Sequence, residues 1–309
     1  SRAGRGRRPG AALLMDQPAR LALGSAIVGL VVLALKLFAY RVTGSVALYS
    51  DAIESIINVA APLVAYVAIK VSARPADADH PFGHQKAEYF SAVIEGVLIV
   101  VAALLIFRQA WLGFTGATAP EPDRVGLGAN FLATLINAGW AFVLIESGRR
   151  HTSPALIADG RHLFVDVVTS IGVLAGVALV FFTGFAVLDP LLAVLVGLYV
   201  LWSGWHVMRA SVGGLMDEAV APEMLERIRA TIAATAKGAL EAHDLRTRHA
   251  GRVSFLDFHL VVPGTMSVAE AHTICDEIEA ALKADHPGLN VSIHVEPEEK
   301  AKATGIPVV

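Results

Sequence analysis

The sequence has one cysteine, Cys275. A lone thiol closes no disulfide within the chain, and it leaves out any Cys-rich zinc module or iron–sulfur cluster built from one chain. Charge is scarce as well. Asp, Glu, Lys and Arg make up 17% of the 309 residues, where a soluble domain carries about 25%. The 25 Lys+Arg against 28 Asp+Glu give a net charge of −3, which excludes a globally basic nucleic-acid binder. There is no GxxxxGK[ST] loop to cradle a nucleotide, and no HExxH helix of a metalloprotease.

What is abundant is apolar surface: 55% of residues are hydrophobic, and the mean hydropathy is +0.58. A bilayer span needs about 20 mostly apolar residues. Six stretches qualify: Leu21–Val42, Val46–Val71, Ala87–Leu112, Val125–Ile145, Leu156–Phe182 and Leu188–Met208. The expected organisation is a disordered basic segment at 1–20, a six-span membrane domain at 21–211, a soluble domain at 212–300 and a tail at 301–309. Residues 1–14 do not read as a signal peptide, because no short apolar region ends in small residues.

In the soluble part, Pro222 is followed by Met224, Leu225, Ile228 and Ile232 at helical spacing. Leu240–Arg248 and Val253–Val262 flank Ala250-Gly251 and predict a strand pair. Ser267–Ala284 predicts a second helix, and Leu289–Val295 a last strand. The order α-β-β-α-β predicts a small α+β sandwich with helices on one face of a sheet.

Basic residues set the expected orientation. Arg2, Arg5, Arg7, Arg8 and Arg20, then Lys70, Arg74 and Lys86, then Arg149, Arg150 and Arg161 fall on one side; Arg41 and Arg124 fall on the other. The positive-inside bias places both termini in the cytoplasm, across an inner membrane.

Ionisable groups within spans cost at least ~2.5–3.5 kcal/mol each on insertion scales. The second span nevertheless holds Asp51, Glu54 and Asn58, and the fifth holds Asp159, His162 and Asp166. Glu54 with Asn58, and His162 with Asp166, stand four apart, so each pair shares a helix face. Two helices each offering an i/i+4 pair can build a four-ligand transition-metal site. The plainer reading is hydrogen bonding between helices. Asp51 and Asp159 read equally as supports for those ligands or an access path and as a hydrated cavity wall or hydrogen bonds to a neighbouring helix.

The loop before the third span adds Asp77, His80 and His84 within eight residues, with Pro81 and Gly83 to turn the chain. The soluble part adds His243, His259, His272, Asp276, His294 and Glu296. Each alone reads as a hydrated or packed side chain. Together they point to metal handling. Cys275 reads as a small packed residue of the second helix.

Several blocks resemble the cation diffusion facilitator family: SVALYSDAIESIIN, RPADADHPFGHQKAE, ALIADGRHLFVD, AHDLRTR and SIHVEP. The resemblance runs from about Leu21 to Pro297. It implies a membrane α-helical bundle of six transmembrane helices and a cytoplasmic α+β ferredoxin-like domain. It also implies a homodimer embedded in the bilayer and no enzymatic activity. Residue by residue, Glu54, Asn58, His162 and Asp166 match the family's intramembrane transport site. Asp77, His80 and His84 match a loop site, and His243, His259, His272, Asp276, His294 and Glu296 match cytoplasmic sites. Lys86 and Asp217 match a charge pair linking the two domains.

The chain departs from the pattern at the second span, where Asn58 stands in place of an expected carboxylate. An amide oxygen suits harder ions such as manganese, whereas His162 favours zinc or ferrous iron. The expected function is proton-coupled export of a divalent metal. Zinc comes first, with manganese, ferrous iron and cadmium as alternatives. The metal serves as substrate and as regulator, protons are the counter-ion, and no nucleic acid is involved. The competing reading is a non-transporting membrane metal sensor or scaffold with a degenerate transport site.

Overall fold

Six helices make up the first part of the computed structural model, which describes residues 9–43, 55–115, 124–185, 187–302 and 305–307. They are α1 (Pro9–Thr43), α2 (Ile57–Ser72), α3 (Ala87–Phe114), α4 (Arg124–Arg150), α5 (Pro154–Thr183) and α6 (Leu188–Leu215). Four of them contain stretches long and apolar enough to cross a membrane: Gln17–Phe38, Ala87–Phe114, Phe131–Arg150 and Pro190–Leu215. The described part of α2 is a 16-residue helix, and α5 runs for 30 residues. Contacts divide the chain into two units, Ser1–Val212 and Gly213–Val309.

α1 starts at Pro9, inside the segment expected to be disordered. The reason is local. Proline suits the first helical position because its missing N–H is not needed there, and Ala11, Ala12, Leu13, Leu14 and Met15 are strong helix formers.

The outside of this helical unit is apolar. Phe38, Trp111, Phe142 and Phe182 are all exposed, Phe182 by 82%. Its interior is where polar groups collect: Ser25, Asn58, Glu95, Thr134, Asn137, Asp159 and His162 are buried. That distribution suits a surface facing lipid rather than water.

α5 lies between two packed clusters. One joins Ala19, Ala22, Ala65, Ile69, Ala141 and Leu144 to Leu156 and Leu163 of α5. The other joins Ala92, Ile99, Ala103, Val200 and Val207 to Ala158 and Val165 of α5. Small residues let the helices approach closely, as expected in a bilayer. A Cβ on Gly148 would meet Ile157 at 2.7 Å, and one on Gly160 would meet Ile145 at 2.7 Å, so α4 and α5 interlock reciprocally. Gly29 of α1 abuts the backbone carbonyl of Asn58 and so sets how closely α1 approaches the first turn of α2. At the other end of α2, Ser72 Oγ donates to Glu88 Oε1 at 2.8 Å and Ser153 Oγ donates to Glu88 Oε2. This buried carboxylate clasps the end of α2 and the residue before α5 to the first turn of α3.

The second unit consists of α7 (Pro222–Thr235), β1 (Glu241–Ala250), β2 (Val253–Val262), α8 (Val268–Asp285) and β3 (Leu289–Pro297). A one-turn 3₁₀ helix (Glu298–Lys300) and a short strand β4 (Ile306–Pro307) follow. The sheet order is β3-β2-β1-β4. β1 pairs antiparallel with β2, β2 parallel with β3, and α8 supplies the crossover that a parallel pair requires. Ile228 and Ile232 of α7, Ile278 and Leu282 of α8, and Leu256, Phe258 and Leu260 of β2 form one core. Cys275 belongs to it, and burial pushes its thiol pKa up.

Ser267 caps α8. Its hydroxyl accepts from the Glu270 N–H, and Glu270 Oε2 accepts from the Ser267 N–H at 2.8 Å. β4 falls in the stretch read from the sequence as a tail, where two paired residues are too short to show alternation.

Candidate metal centres

The intramembrane candidates meet where α2 faces α5. Asn58 Nδ2 donates to Asp166 Oδ2 at 2.6 Å, and Asn58 Oδ1 lies 3.0 Å from His162 Nε2. With the amide oriented this way, its oxygen accepts an Nε2–H from the imidazole. His162 Nδ1 makes no hydrogen bond, and both Asn58 and His162 are buried. Asn58, His162 and Asp166 are thus joined through the amide. Asp51 and Glu54 lie outside the described residues. Asp159, one turn before His162, is 1% exposed and its Oδ2 has no partner.

The loop cluster is built by a turn. Asp77 Oδ1 accepts from the His80 N–H at 2.7 Å and the Asp79 N–H at 3.1 Å. Those contacts curl the chain so that His80 Nδ1 lies 3.3 Å from Oδ1 and His84 Nε2 lies 3.4 Å from Oδ2. Gly83, at φ +90, makes the return that an L side chain would resist. The backbone hydrogen bond from His80 is the main cause that holds the Asp77 carboxyl below its ordinary pKa, and the His80 and His84 rings add to it.

The sheet cluster follows from register. His243 on β1 is paired with His259 on β2, and His259 with His294 on β3. Side chains on a strand alternate between faces, and Leu256, Phe258 and Leu260 enter the core with the helices. The histidine row therefore lies on the other face, together with Glu296, two residues beyond His294. His243 Nε2 is 3.2 Å from Glu296 Oε2, and His259 Nδ1 is 3.2 Å from Glu296 Oε1. Neither nitrogen makes a hydrogen bond. His294 Nε2 stands slightly farther off, at 3.8 Å from Glu296 Oε1.

In both outer clusters, Asp77–His80–His84 and His243–His259–Glu296, the ligand atoms lie within 4.8 Å of one another. One carboxylate with two imidazoles is a donor set for zinc and its neighbours.

Two expected ligands lie elsewhere. His272 and Asp276 share the exposed face of α8, away from the histidine row. Lys86 precedes α3, and Asp217 follows α6 at φ +60, where its Oδ1 accepts from Arg248 Nη1 at 3.1 Å.

Two carboxylates near these centres escaped the sequence reading. Glu241 Oε1 lies 2.9 Å from His243 Nδ1, and it accepts the Lys302 backbone N–H at 2.5 Å. A carboxylate on one ring nitrogen fixes the tautomer and leaves the other free to ligate. Lys302 Nζ also donates to Asp244 Oδ2 at 2.6 Å, the leading reason that carboxyl is held low. Glu241 gives a sequence signal only through its i+2 spacing to His243 on a strand. Glu95, in the third turn of α3, is the second. It is 1% exposed and neither oxygen has a partner. The rule that singled out Glu54 also applies to Glu95, an acid within an apolar span.

Residues 22–216 match the family described as the cation efflux transmembrane domain, and residues 220–298 match the cation efflux protein cytoplasmic domain. An uncharacterized transporter of Synechocystis, sll1263, is 42% identical over 283 residues, covering 92% of this chain and 90% of that protein. The cation-efflux pump FieF of Yersinia pestis is 33% identical over 282 residues, covering 89% and 91%. A solved structure of CzrB in its zinc form is 56% identical, covers 28% of this chain and 98% of that chain, and has a TM-score of 0.27. Two domain matches that span nearly the whole helical unit and the sheet unit, with full-length relatives, place this integral membrane protein in the cation efflux, or cation diffusion facilitator, family of metal transporters.

Proposed function

We propose that this chain exports a divalent transition metal from the cytoplasm in exchange for protons, with zinc as the first candidate substrate. The observation that carries the reading is the Asp166–Asn58–His162 chain between α2 and α5, buried at Asn58 and His162 and half-buried at Asp166. Polar groups at that depth are costly, and in a bilayer they mark ion pathways.

A metal binds a deprotonated imidazole and an ionised carboxylate, so metal and protons compete for one site and affinity rises with pH. In the hydrogen-bonded arrangement the Asn58 oxygen engages His162 Nε2. Starting from a doubly protonated ring, metal entry displaces the Nε2 proton to water, leaves the other proton on Nδ1 and frees the amide oxygen, so Asn58, His162 and Asp166 become ligands together, with Glu54 completing the set. Return of a proton to His162 reverses the exchange. An imidazole suits this role because its ordinary pKa of about 6.5 lies near working pH.

The six helices are proposed as six spans with both termini cytoplasmic, in an inner membrane. The sheet unit is proposed to dimerise and to sense cytosolic metal through His243, His259, Glu296 and the adjacent His294. His272 and Asp276 are candidates for a separate surface site on that unit. A zinc, manganese, ferrous iron or cadmium flux into proteoliposomes under an imposed pH gradient tests the reading. Wild type is expected to move at least zinc, and Asp166→Ala none. If wild type moves no ion while the chain still binds zinc at the outer clusters, the non-transporting sensor replaces the exporter. The observation favouring that alternative is that Asn58 already satisfies both neighbours, as a fixed structural hydrogen bond would.

A further inference from the structure

The segment after the 3₁₀ helix supplies no candidate ligand, yet it grips both neighbours of one. The Lys302 backbone N–H donates to Glu241 Oε1 at 2.5 Å, and Lys302 Nζ donates to Asp244 Oδ2 at 2.6 Å. The Gly305 N–H donates to the Lys302 carbonyl at 3.0 Å and turns the chain back. Ile306 and Pro307 then pair antiparallel with Ala242 and Glu241, which makes β4 the outer neighbour of β1. His243 is thus held on its preceding side through Glu241 and Ala242, and on its following side through Asp244.

β1 is irregular at this place. Its register against β2 shifts between His243 and Arg246, and Asp244 sits there at φ +53. A bulge of this kind re-aims the side chain beside it. Glu241 Oε1 lies 2.9 Å from His243 Nδ1, so one carboxylate oxygen meets both the ring and the Lys302 N–H. An ionised carboxylate oxygen accepts two such donors. With a proton held on Nδ1, Nε2 is left to ligate beside Glu296 Oε2, 3.2 Å away, where it makes no hydrogen bond. The His243 side chain is 2% exposed and that of Glu241 13%, so water does little to reorient either. A Cβ on Gly305 would come within 2.5 Å of Glu241 Oε2, so a larger residue there displaces that carboxylate or the strand.

We propose that residues 301–307 form a strap that positions His243 for a divalent metal, so that strap docking and metal occupancy of the sheet cluster strengthen each other. This inference rests on reading His243, His259 and Glu296 as a metal centre. Lys302 and Gly305 are positioning residues: they hold Glu241, and Glu241 holds the ring. Zinc on Nε2 draws electron density from the imidazole and makes Nδ1–H a stronger donor to Glu241. Whatever factor the docked strap adds to zinc affinity, bound zinc adds to strap docking. Metal binding on one face of the sheet is in this way carried to the β1 edge that β4 covers.

The test uses the full chain in lipid nanodiscs with His80→Ala, His84→Ala, Asp166→Ala and His272→Ala, so that the loop, bundle and α8 candidates are silent. Zn²⁺ is titrated calorimetrically. Ending the chain after Lys300 is expected to raise Kd at least fivefold, and Gly305→Val to raise it in the same direction. Lys302→Ala keeps the N–H on Glu241 and loses only the amine on Asp244, so it is expected to raise Kd by about twofold. In a Glu241→Gln background, the same truncation is expected to change Kd by less than about twofold, because the strap acts through that carboxylate. Cleavage after Lys302 by a lysine-specific protease, read by mass, is expected to slow at least threefold when Zn²⁺ is added, and not to slow in Glu241→Gln. An unchanged Kd on truncation overturns the proposal. So does a loss of equal size with and without Glu241, which is what a purely packing role would give. A parent that binds zinc with a strap-independent Kd refutes the strap and leaves the sheet cluster a metal centre. A parent that takes up no zinc removes the metal centre itself, and the strap with it.

Discussion

The sheet cluster and the bundle cluster use similar residues in opposite ways. In the sheet, three histidines stand side by side because adjacent strands put paired residues on one face, and Glu296 follows at i+2. The ring nitrogens that meet Glu296 make no hydrogen bonds. In the bundle, the candidate ligands Asn58, His162 and Asp166 reach each other across two helices, and the Asn58 amide occupies both neighbours at once. A strand row is held by backbone hydrogen bonds along its length and keeps its ligands converged without a metal. A helix pair meets through side chains alone, so it can exchange internal hydrogen bonds for a metal and back. The first arrangement suits retention and sensing; the second suits uptake and release.

The largest effect expected from breaking this contrast is at Phe258. It is 1% exposed at the centre of the sheet core, one residue before His259. Phe258→Ala should destabilise the sheet unit by about 3–5 kcal/mol. Thermal unfolding of the full chain should fall, with loss of zinc binding at the histidine row, while Asp77, His80 and His84 keep theirs.

Glu241→Gln sharpens the contrast without unfolding anything. Removing the charge that fixes the His243 tautomer should weaken zinc at the sheet cluster about 10–100-fold. Calorimetry on the full chain reads it, and the bundle site should not respond.

Ser267→Ala removes one half of the capping box on α8. It should cost about 1 kcal/mol, visible as a lower unfolding midpoint of the sheet unit only.

The smallest effect is a pH separation in the loop. The Asp77 carboxyl is held below 3.8 in the folded chain. A depressed carboxyl contributes order above its unfolded value and loses it as pH falls through the folded value. Zinc should leave the loop as its imidazoles protonate on acidification, while the Asp77–His80 turn persists at pH 4 and yields only below that. Limited proteolysis across residues 73–86 follows the turn; Asp77→Ala should open it at every pH, whereas Asp77→Asn, whose amide oxygen still accepts the two N–H groups, should keep it through lower pH.

Much of this was legible in the residues. The i/i+4 pair His162 and Asp166 follows from helical periodicity, and Asn58 was marked by its rarity in an apolar run. The loop turn was readable from Pro81 and Gly83. The helix Val268–Asp285 was readable from its apolar spacing and the Ser267–Glu270 cap. Other features were not. Which histidines of the second unit meet depends on strand register, and His272 and Asp276 stand apart from that row because they lie on the exposed face of α8. Glu241 and Lys302 lie 61 residues apart, and no local pattern joins them. The burial of Glu95 in the third turn of α3 depends on helix packing, which no local pattern shows.

The sequence by itself determined the membrane character, the change in texture near residue 212, and the residue types able to hold a metal. These depend on local composition and on the periods of helix and strand. Tertiary structure alone decided which of those groups share a site. Convergence depends on helix contacts set by Gly29, Gly148 and Gly160 and on the β1–β2–β3 register, and these are fixed by packing between segments distant in the chain.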